Sequence, residues 1–256
     1  MLAPAIDNKT FVFIGGLHRS GTSILHRLLC EHPQTSGFSD TPAAENEGQH
    51  LQTVFRAAYE FGGPGEFAFH LGAHLTESSS LINQENIDKI LSEWGAYYDL
   101  SKKVLLEKSP PNLIRSRFLR QMFPESKFVF IVRHPVAVSM ATEKWSSKTI
   151  IERLLHWSTA HSIMLDDIDS ASDCLVIRYE DFVQSPDRHL HKICDLAGMQ
   201  HFTARERVED HNEKYFQEWL RRFEPDLRIL QAVLPSNNPI LERFGYSLTT
   251  PFVSEI

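Results

Sequence analysis

Cysteine is scarce: only Cys30, Cys174 and Cys194 occur in 256 residues, and no two of them are spaced as C-x-x-C. That leaves no disulfide framework, and thirteen scattered histidines without an H-E-x-x-H spacing leave no zinc site. Basic residues are also outnumbered, 26 Lys and Arg against 33 Asp and Glu, for a net charge of −7 with histidine neutral. No global field exists to hold nucleic acid or an anionic membrane surface, so an anionic ligand must be gripped locally. No apolar run reaches the roughly 18 residues of a membrane span. The stretch from Met1 to Thr10, with Pro4, Asp7 and Lys9, lacks the apolar core of a signal peptide. A reducing cytoplasm is the expected home. What is present is ordinary globular composition, 42% hydrophobic and 23% charged, which rules out disorder, collagen and coiled-coil arrays.

Phe11-Val12-Phe13-Ile14, ended by Gly15-Gly16, reads as a strand buried on both faces, the natural setting of a parallel sheet. Residues 23–30 then place Ile24, Leu25, Leu28 and Leu29 on one helical stripe, and His32-Pro33 stops that helix. Residues 34–48 are polar and turn-rich, and residues 49–59 are predicted helical. Residues 62–80 mix glycine and serine with Phe67, Phe69, Leu71 and Leu75, an irregular segment suited to a lid. Helices are predicted over 82–100, 112–122, 186–197 and 212–223, and from Pro135 to Trp145. Strands are predicted at 104–106, 127–132 and 175–179. Strands alternate with helices over most of the length, and neither a linker nor an internal repeat is visible. The expected fold is therefore α/β, one domain over residues 1–256, with a parallel sheet flanked by helices on both faces.

Gly16-Leu17-His18-Arg19-Ser20-Gly21-Thr22-Ser23 has the spacing of the phosphate loop G-x-x-x-x-G-K-S/T, with Thr22 where the lysine belongs. Backbone N–H groups and the positive end of the following helix still cradle an anion. The cation that would grip β- and γ-phosphates is missing. Arg19 offers a charge instead, and Thr22 and Ser23 offer hydroxyls, which suits a terminal anion on an adenosine-type nucleotide better than a magnesium-bound triphosphate.

With that loop in hand the sequence resembles the sulfotransferase superfamily, whose 5′-phosphosulfate loop reads much like Arg19-Ser20-Gly21-Thr22-Ser23. Glu107-Lys108-Ser109-Pro110, Phe130-Ile131-Val132-Arg133-His134-Pro135 and Val176-Ile177-Arg178-Tyr179-Glu180-Asp181 follow in the family's order. The His32-Pro33 pair and the Arg-Tyr-Glu-Asp stretch are closest to the bacterial and protein-tyrosine sulfotransferase-like branch. The resemblance implies 3′-phosphoadenosine 5′-phosphosulfate (PAPS) as donor, the bisphosphate PAP as product, and no metal. It implies that Arg133 binds the 3′-phosphate. The family's partner serine lies about eight residues on, where Ala141 stands here. Ser139 and Thr142 flank that gap on one helical face, Ser139 being the first choice. Tyr179 resembles a residue near the cofactor. Trp145 is either an adenine platform or core, and core is the expectation. Lys108 is implied to meet the oxygens on which charge develops as the sulfuryl group leaves, and Glu107 to orient it or meet substrate.

The acceptor must lose a proton, so a base is required. Glu45-Asn46-Glu47 resembles a segment of heparan-type sulfotransferases in which the second glutamate is the base. Counting as in the tyrosine-protein branch points to Asp40, and His50 is matched to neutral pH. Glu47 ranks first, His50 second and Asp40 third. The competing readings are a P-loop kinase, disfavoured by the missing lysine and by a best strand ending in Val132-Arg133 rather than aspartate, and a non-catalytic nucleotide-binding module. For the acceptor, net charge −7 disfavours a heparin-like polyanion. A hydroxyl or amine on a small metabolite, glycan or lipid head group is expected, with residues 67–71 along its pocket.

Overall fold

The computed structural model describes residues 8–169, 171–251 and 253, so most of the stretch from Met1 to Thr10, residues 1–7, lies outside the described residues. One parallel sheet contains β1 Thr10–Gly15, β2 Thr35–Gly37, β3 Val104–Lys108, β4 Lys127–Val132 and β5 Cys174–Arg178, in the order β2-β3-β1-β4-β5. Ile14 of the central strand pairs with Lys108 on one side and Val129 on the other. The chain leaves β1 toward one edge and later returns to build the other. That topology opens a crevice at the carboxyl ends of the strands.

The helices are α1 Thr22–Cys30, α2 Gln84–Gly95, α3 Ser116–Met122, α4 Pro135–Thr142, α5 Ile150–Asp167, α6 Tyr179–Gln184, α7 Pro186–Ala197, α8 Asn212–Phe223, α9 Leu227–Val233 and α10 Pro239–Phe244. Because successive strand residues point to opposite faces, the apolar strands feed two different layers. Phe11, Phe13, Phe128 and Phe130 join Trp94 of α2 and Trp157 of α5 in one core. Val12, Ile14, Val129 and Ile131 join Leu25, Leu28 and Leu29 of α1 and Ile193 of α7 in the other. Rings tile the first face, Phe13 against Phe128 at 5.6 Å and Phe11 against Phe123 at 4.9 Å.

The predicted helix over 49–59 does not form. Only single 3₁₀ turns appear, at Gly48–His50 and Ala58–Phe61. Side chains take the backbone groups that a helix would pair: Gln52 Oε1 accepts from Val54 N and Phe55 N, Gln49 Oε1 from Ala58 N, and Glu60 Oε1 from Ala57 N. The segment over 62–80 is irregular as expected, yet it is pinned. Buried Arg115 donates from Nε to Ala73 O at 3.1 Å and from Nη2 to Arg56 O at 3.0 Å. The helix expected over 112–122 is a 3₁₀ turn, Pro110–Ile114, followed by α3. Five of the named strands and helices have no predicted counterpart: β2, α5, α6, α9 and α10. α5 opens on a reciprocal cap, in which Thr149 Oγ1 accepts from Glu152 N at 3.3 Å and Glu152 Oε2 from Thr149 N at 2.8 Å.

Candidate active site

The strand ends surround a cleft of about 660 Å³. Its floor is the turn from β1 into α1, where Arg19 takes a left-handed φ of 70° and Gly21 one of 106°. A Cβ on Gly21 would lie 2.7 Å from the Tyr179 ring, so only glycine lets the turn approach that tyrosine. No side chain caps the first turn of α1, so its N–H groups remain free to bind a ligand, and Thr22 and Ser23 line the cleft beside them. Ser20 Oγ, fully buried, has no partner among the described residues.

Arg133, one residue past β4, forms the cationic wall. Its Nε donates to Asn212 Oδ1 at 2.7 Å and its Nη1 to Arg19 O at 2.9 Å, while the guanidinium lies 4.2 Å over the Tyr179 ring. Its Nη2 is buried without a partner among the described residues, a donor that suits an anion in the cleft. Asn212 is itself fixed, donating from Nδ2 to Glu180 Oε1 at 2.7 Å, and Tyr246 Oη donates to Glu180 Oε2 at 2.6 Å. Burial raises the Glu180 carboxyl above its ordinary pKa, against those hydrogen bonds. Tyr179 starts α6 and donates its hydroxyl to Glu209 O at 3.1 Å, tethering the wall formed by residues 206–211.

Lys108 ends β3 with only 1% of its surface exposed, and its ammonium is 2.8 Å from Glu45 O and 3.2 Å from Glu47 Oε1. Glu45 and Glu47 line the cleft. Glu47 Oε2 accepts from Gln49 Nε2 at 2.5 Å. The loop carrying Glu47 is anchored from below by Glu107, whose Oε1 accepts from Gly48 N at 2.9 Å and Ser109 Oγ at 2.5 Å and whose Oε2 accepts from Asn112 Nδ2 at 2.5 Å. Full burial pushes the Glu107 carboxyl up to about 7, although the Ser109 and Asn112 hydrogen bonds and Lys108 pull it down. Glu107 therefore holds the loop and does not face the cleft.

The other candidates separate. His50 lines a neighbouring groove of about 320 Å³, stacked on Tyr59 at 5.7 Å, with Nε2 3.8 Å behind Glu47 Oε2. Asp40 is exposed and outside the cleft lining. Ser139 and Thr142 are buried and line a small hollow whose lining does not include Arg133. Trp145 is not core: it is 45% exposed at the cleft, with the Arg19 guanidinium 4.8 Å over its ring, because α4 ends at Thr142 and the next turn carries it out of the packed layer. Two side chains that the sequence reading passed over join the site. His18 sits inside the glycine loop, hidden there because spacing alone weighs its glycines and hydroxyls, and Asn212 lies 79 positions from the arginine it orients, with no local signal.

The family model for the sulfotransferase family matches residues 12–204. This chain belongs to the sulfotransferase family. Protein-tyrosine sulfotransferase 2 of Gallus gallus is 25% identical over 197 residues, covering 73% of this chain and 51% of that protein. Protein-tyrosine sulfotransferase 1 of Danio rerio is 24% identical over 277 residues, covering 95% of this chain and 74% of that protein. The chain spans about half the length of the first curated relatives it matches. A solved sulfotransferase of Mycobacterium tuberculosis H37Rv superposes with a TM-score of 0.54 at 13% identity, over 91% of this chain and 79% of that one, which shows the sulfotransferase fold. The relatives correct the expected acceptor. They are named as sulfotransferases of protein tyrosine, which overturns an acceptor confined to small metabolites, glycans or lipid head groups. Net charge, on which that expectation rested, reports the average surface and not the few groups at the cleft. Among the described residues no helix is long and apolar enough to cross a membrane.

Proposed function

We propose that this sulfotransferase moves a sulfuryl group from PAPS to a hydroxyl carried on a polypeptide, a tyrosine in the first instance, without a metal. The observation that carries the reading is the buried Lys108–Glu47 pair at 3.2 Å, set at the end of β3 beside an anion cradle whose arginine keeps one donor unpaired. The N–H groups at the start of α1, the Thr22 and Ser23 hydroxyls and Arg19 suit the 5′-phosphosulfate, and Arg133 suits the second phosphate. Those groups fit a nucleotide with two separated anions. Trp145 and Tyr179 offer ring faces on the same cleft.

When bound, PAPS supplies an activated sulfuryl group. Glu47 is placed to take the acceptor proton, and Lys108 to offset negative charge that develops as the group transfers. Their ion pair holds both side chains in place at the cleft. The free thiols Cys30, Cys174 and Cys194 support a reducing compartment, and the cytoplasm is proposed as the site of action. Calorimetry with PAP, with and without magnesium, tests the donor. Magnesium-independent binding is expected, whereas binding of ATP only with magnesium would return the kinase reading. Labelled PAPS with tyrosine-containing and tyrosine-free peptides tests the acceptor.

A further inference from the structure

A hollow of about 10 Å³ lies between α4, α5 and the glycine loop. Four side chains lining it carry a buried polar atom without a partner among the described residues: Ser139 Oγ, Thr142 Oγ1, Arg153 Nε and His18 Nδ1. Buried polar groups left unpaired are costly, about 1 to 3 kcal/mol each, and four around one void call for a shared partner. The volume suits a single water, which needs about 10 to 15 Å³ and two to four polar neighbours.

Arg153 spends Nη1 on Lys148 O at 2.8 Å and Nη2 on Glu143 Oε1 at 3.2 Å, so its Nε–H is the donor left for the hollow. That fixes one role for the water, which accepts from Arg153. The hydroxyls of Ser139 and Thr142 turn to complete its shell. His18 must then choose a tautomer. Its Nδ1 is buried and unpaired among the described residues and a guanidinium lines the same hollow, which favours a lone pair there, while the same ring also lines the cleft that gathers anions, which favours an N–H on the other nitrogen.

We propose that His18 is a neutral hydrogen-bond donor to the transferring sulfuryl group, its Nε2–H tautomer set by a water held among Ser139, Thr142 and Arg153. The proposal rests on the sulfotransferase reading above. The ring is suited to it. Burial, with Lys108 and then His50 nearby, lowers the imidazole pKa to about 3, so it stays uncharged at working pH. Phe67 holds the ring edge to face at 5.9 Å. As the acceptor oxygen bonds to sulfur and the sulfur–oxygen bond to the 5′-phosphate breaks with its electron pair, Glu47 takes the acceptor's proton and His18 keeps its own.

Nitrogen-15 NMR of the ligand-free protein reads the tautomer independently of activity. His18 is expected to show a protonated Nε2, an unprotonated Nδ1 and no titration between about pH 5 and 8. A protonated Nδ1, or an imidazolium in that range, would overturn the proposal. Kinetically, His18→Ala should lower turnover by about 100-fold with PAP affinity within a few fold. His18→Gln, whose amide can place an N–H near the ε position, should recover most of the loss. Wild-type turnover in His18→Ala, in a preparation whose wild type binds PAP and transfers sulfuryl, overturns the proposal alone. A wild type that neither binds PAP nor transfers sulfuryl overturns the sulfotransferase reading, and with it the donor role. If His18→Ala does not fold, the glutamine variant and the wild-type spectrum decide.

Discussion

At the residue scale the proposed mechanism divides labour between groups that hold charge and groups that act as the sulfuryl group transfers. Arg133 belongs to the first class: two of its nitrogens are committed to Asn212 and Arg19, and Nη2 has no partner among the described residues. Arg133→Ala should weaken PAP by about 1.5 to 3 kcal/mol, the range of a charge-assisted hydrogen bond, measured by calorimetry on protein whose folding is verified by circular dichroism. Unchanged affinity would remove Arg133 from the nucleotide site. Lys108 belongs to the second class. Lys108→Ala should cost roughly 100-fold or more in turnover while PAP affinity shifts only a few fold, because a group that acts mainly on the transition state leaves product binding alone. The same change strands Glu47 in the interior, a loss of about 3 to 5 kcal/mol in stability, so turnover must be normalised to folded protein. Glu47→Gln keeps the side-chain shape but cannot accept a proton at neutral pH. It should lower turnover by about 100- to 10,000-fold, with His50→Asn and Asp40→Asn costing far less. The reverse pattern would move the base to the residue that collapses.

At the element scale, the proposed base, Glu47, is carried by a loop and not by a helix or strand, and the buried Glu107 carboxyl ties that loop from below. Glu45 and Asn46 both sit at a left-handed φ of 52°, which turns the chain so that Glu47 faces Lys108. Immediately after, Gly48 donates to Glu107, and a Cβ there would come within 2.6 Å of Glu107 Oε1. Glu107 cannot step aside, since Gly48 N, Ser109 and Asn112 all bind its oxygens. Gly48→Ala should therefore cost about 1 to 3 kcal/mol of stability, the usual penalty for overpacking. It should also reduce turnover with little change in PAP affinity, because the loop is displaced and the cradle is not. Denaturant melts and calorimetry on one preparation check both halves. Equal losses in turnover and nucleotide binding would mean that the change propagates into the cradle.

At the scale of the whole molecule, the β1 turn and β4 were legible because burial on both faces makes a strand continuously apolar and a tight loop demands glycine. The predicted helix over 49–59 misled because Gln49, Gln52 and Glu60, good helix formers, spend their polar groups on the backbone instead. Asn212, and the hollow that gathers Ser139 and Thr142 with His18, were invisible because they exist only once distant segments meet. The same assembly buries an unusual set of histidines, and these govern how the fold meets acid. Burial lowers His18, His134 and His156 to about 3 and His26 and His161 to about 4, all from 6.5. Below about pH 6.5 the unfolded chain binds protons that these rings in the folded protein refuse, so their contribution is complete above that pH and is lost as pH falls to about 3 to 4. Glu107 acts in the opposite sense: held at about 7, it keeps its proton in the fold while the unfolded chain releases it above about 4.5, so its contribution declines as pH rises between those values. Five histidines outweigh one carboxyl. Urea midpoints should therefore fall steadily from about pH 6.5 to 5, with net proton uptake on unfolding. His161→Gln should flatten the slope by about one proton, and Glu107→Gln should steepen it. A midpoint that stays level across that range would show that the buried rings are charged in the fold.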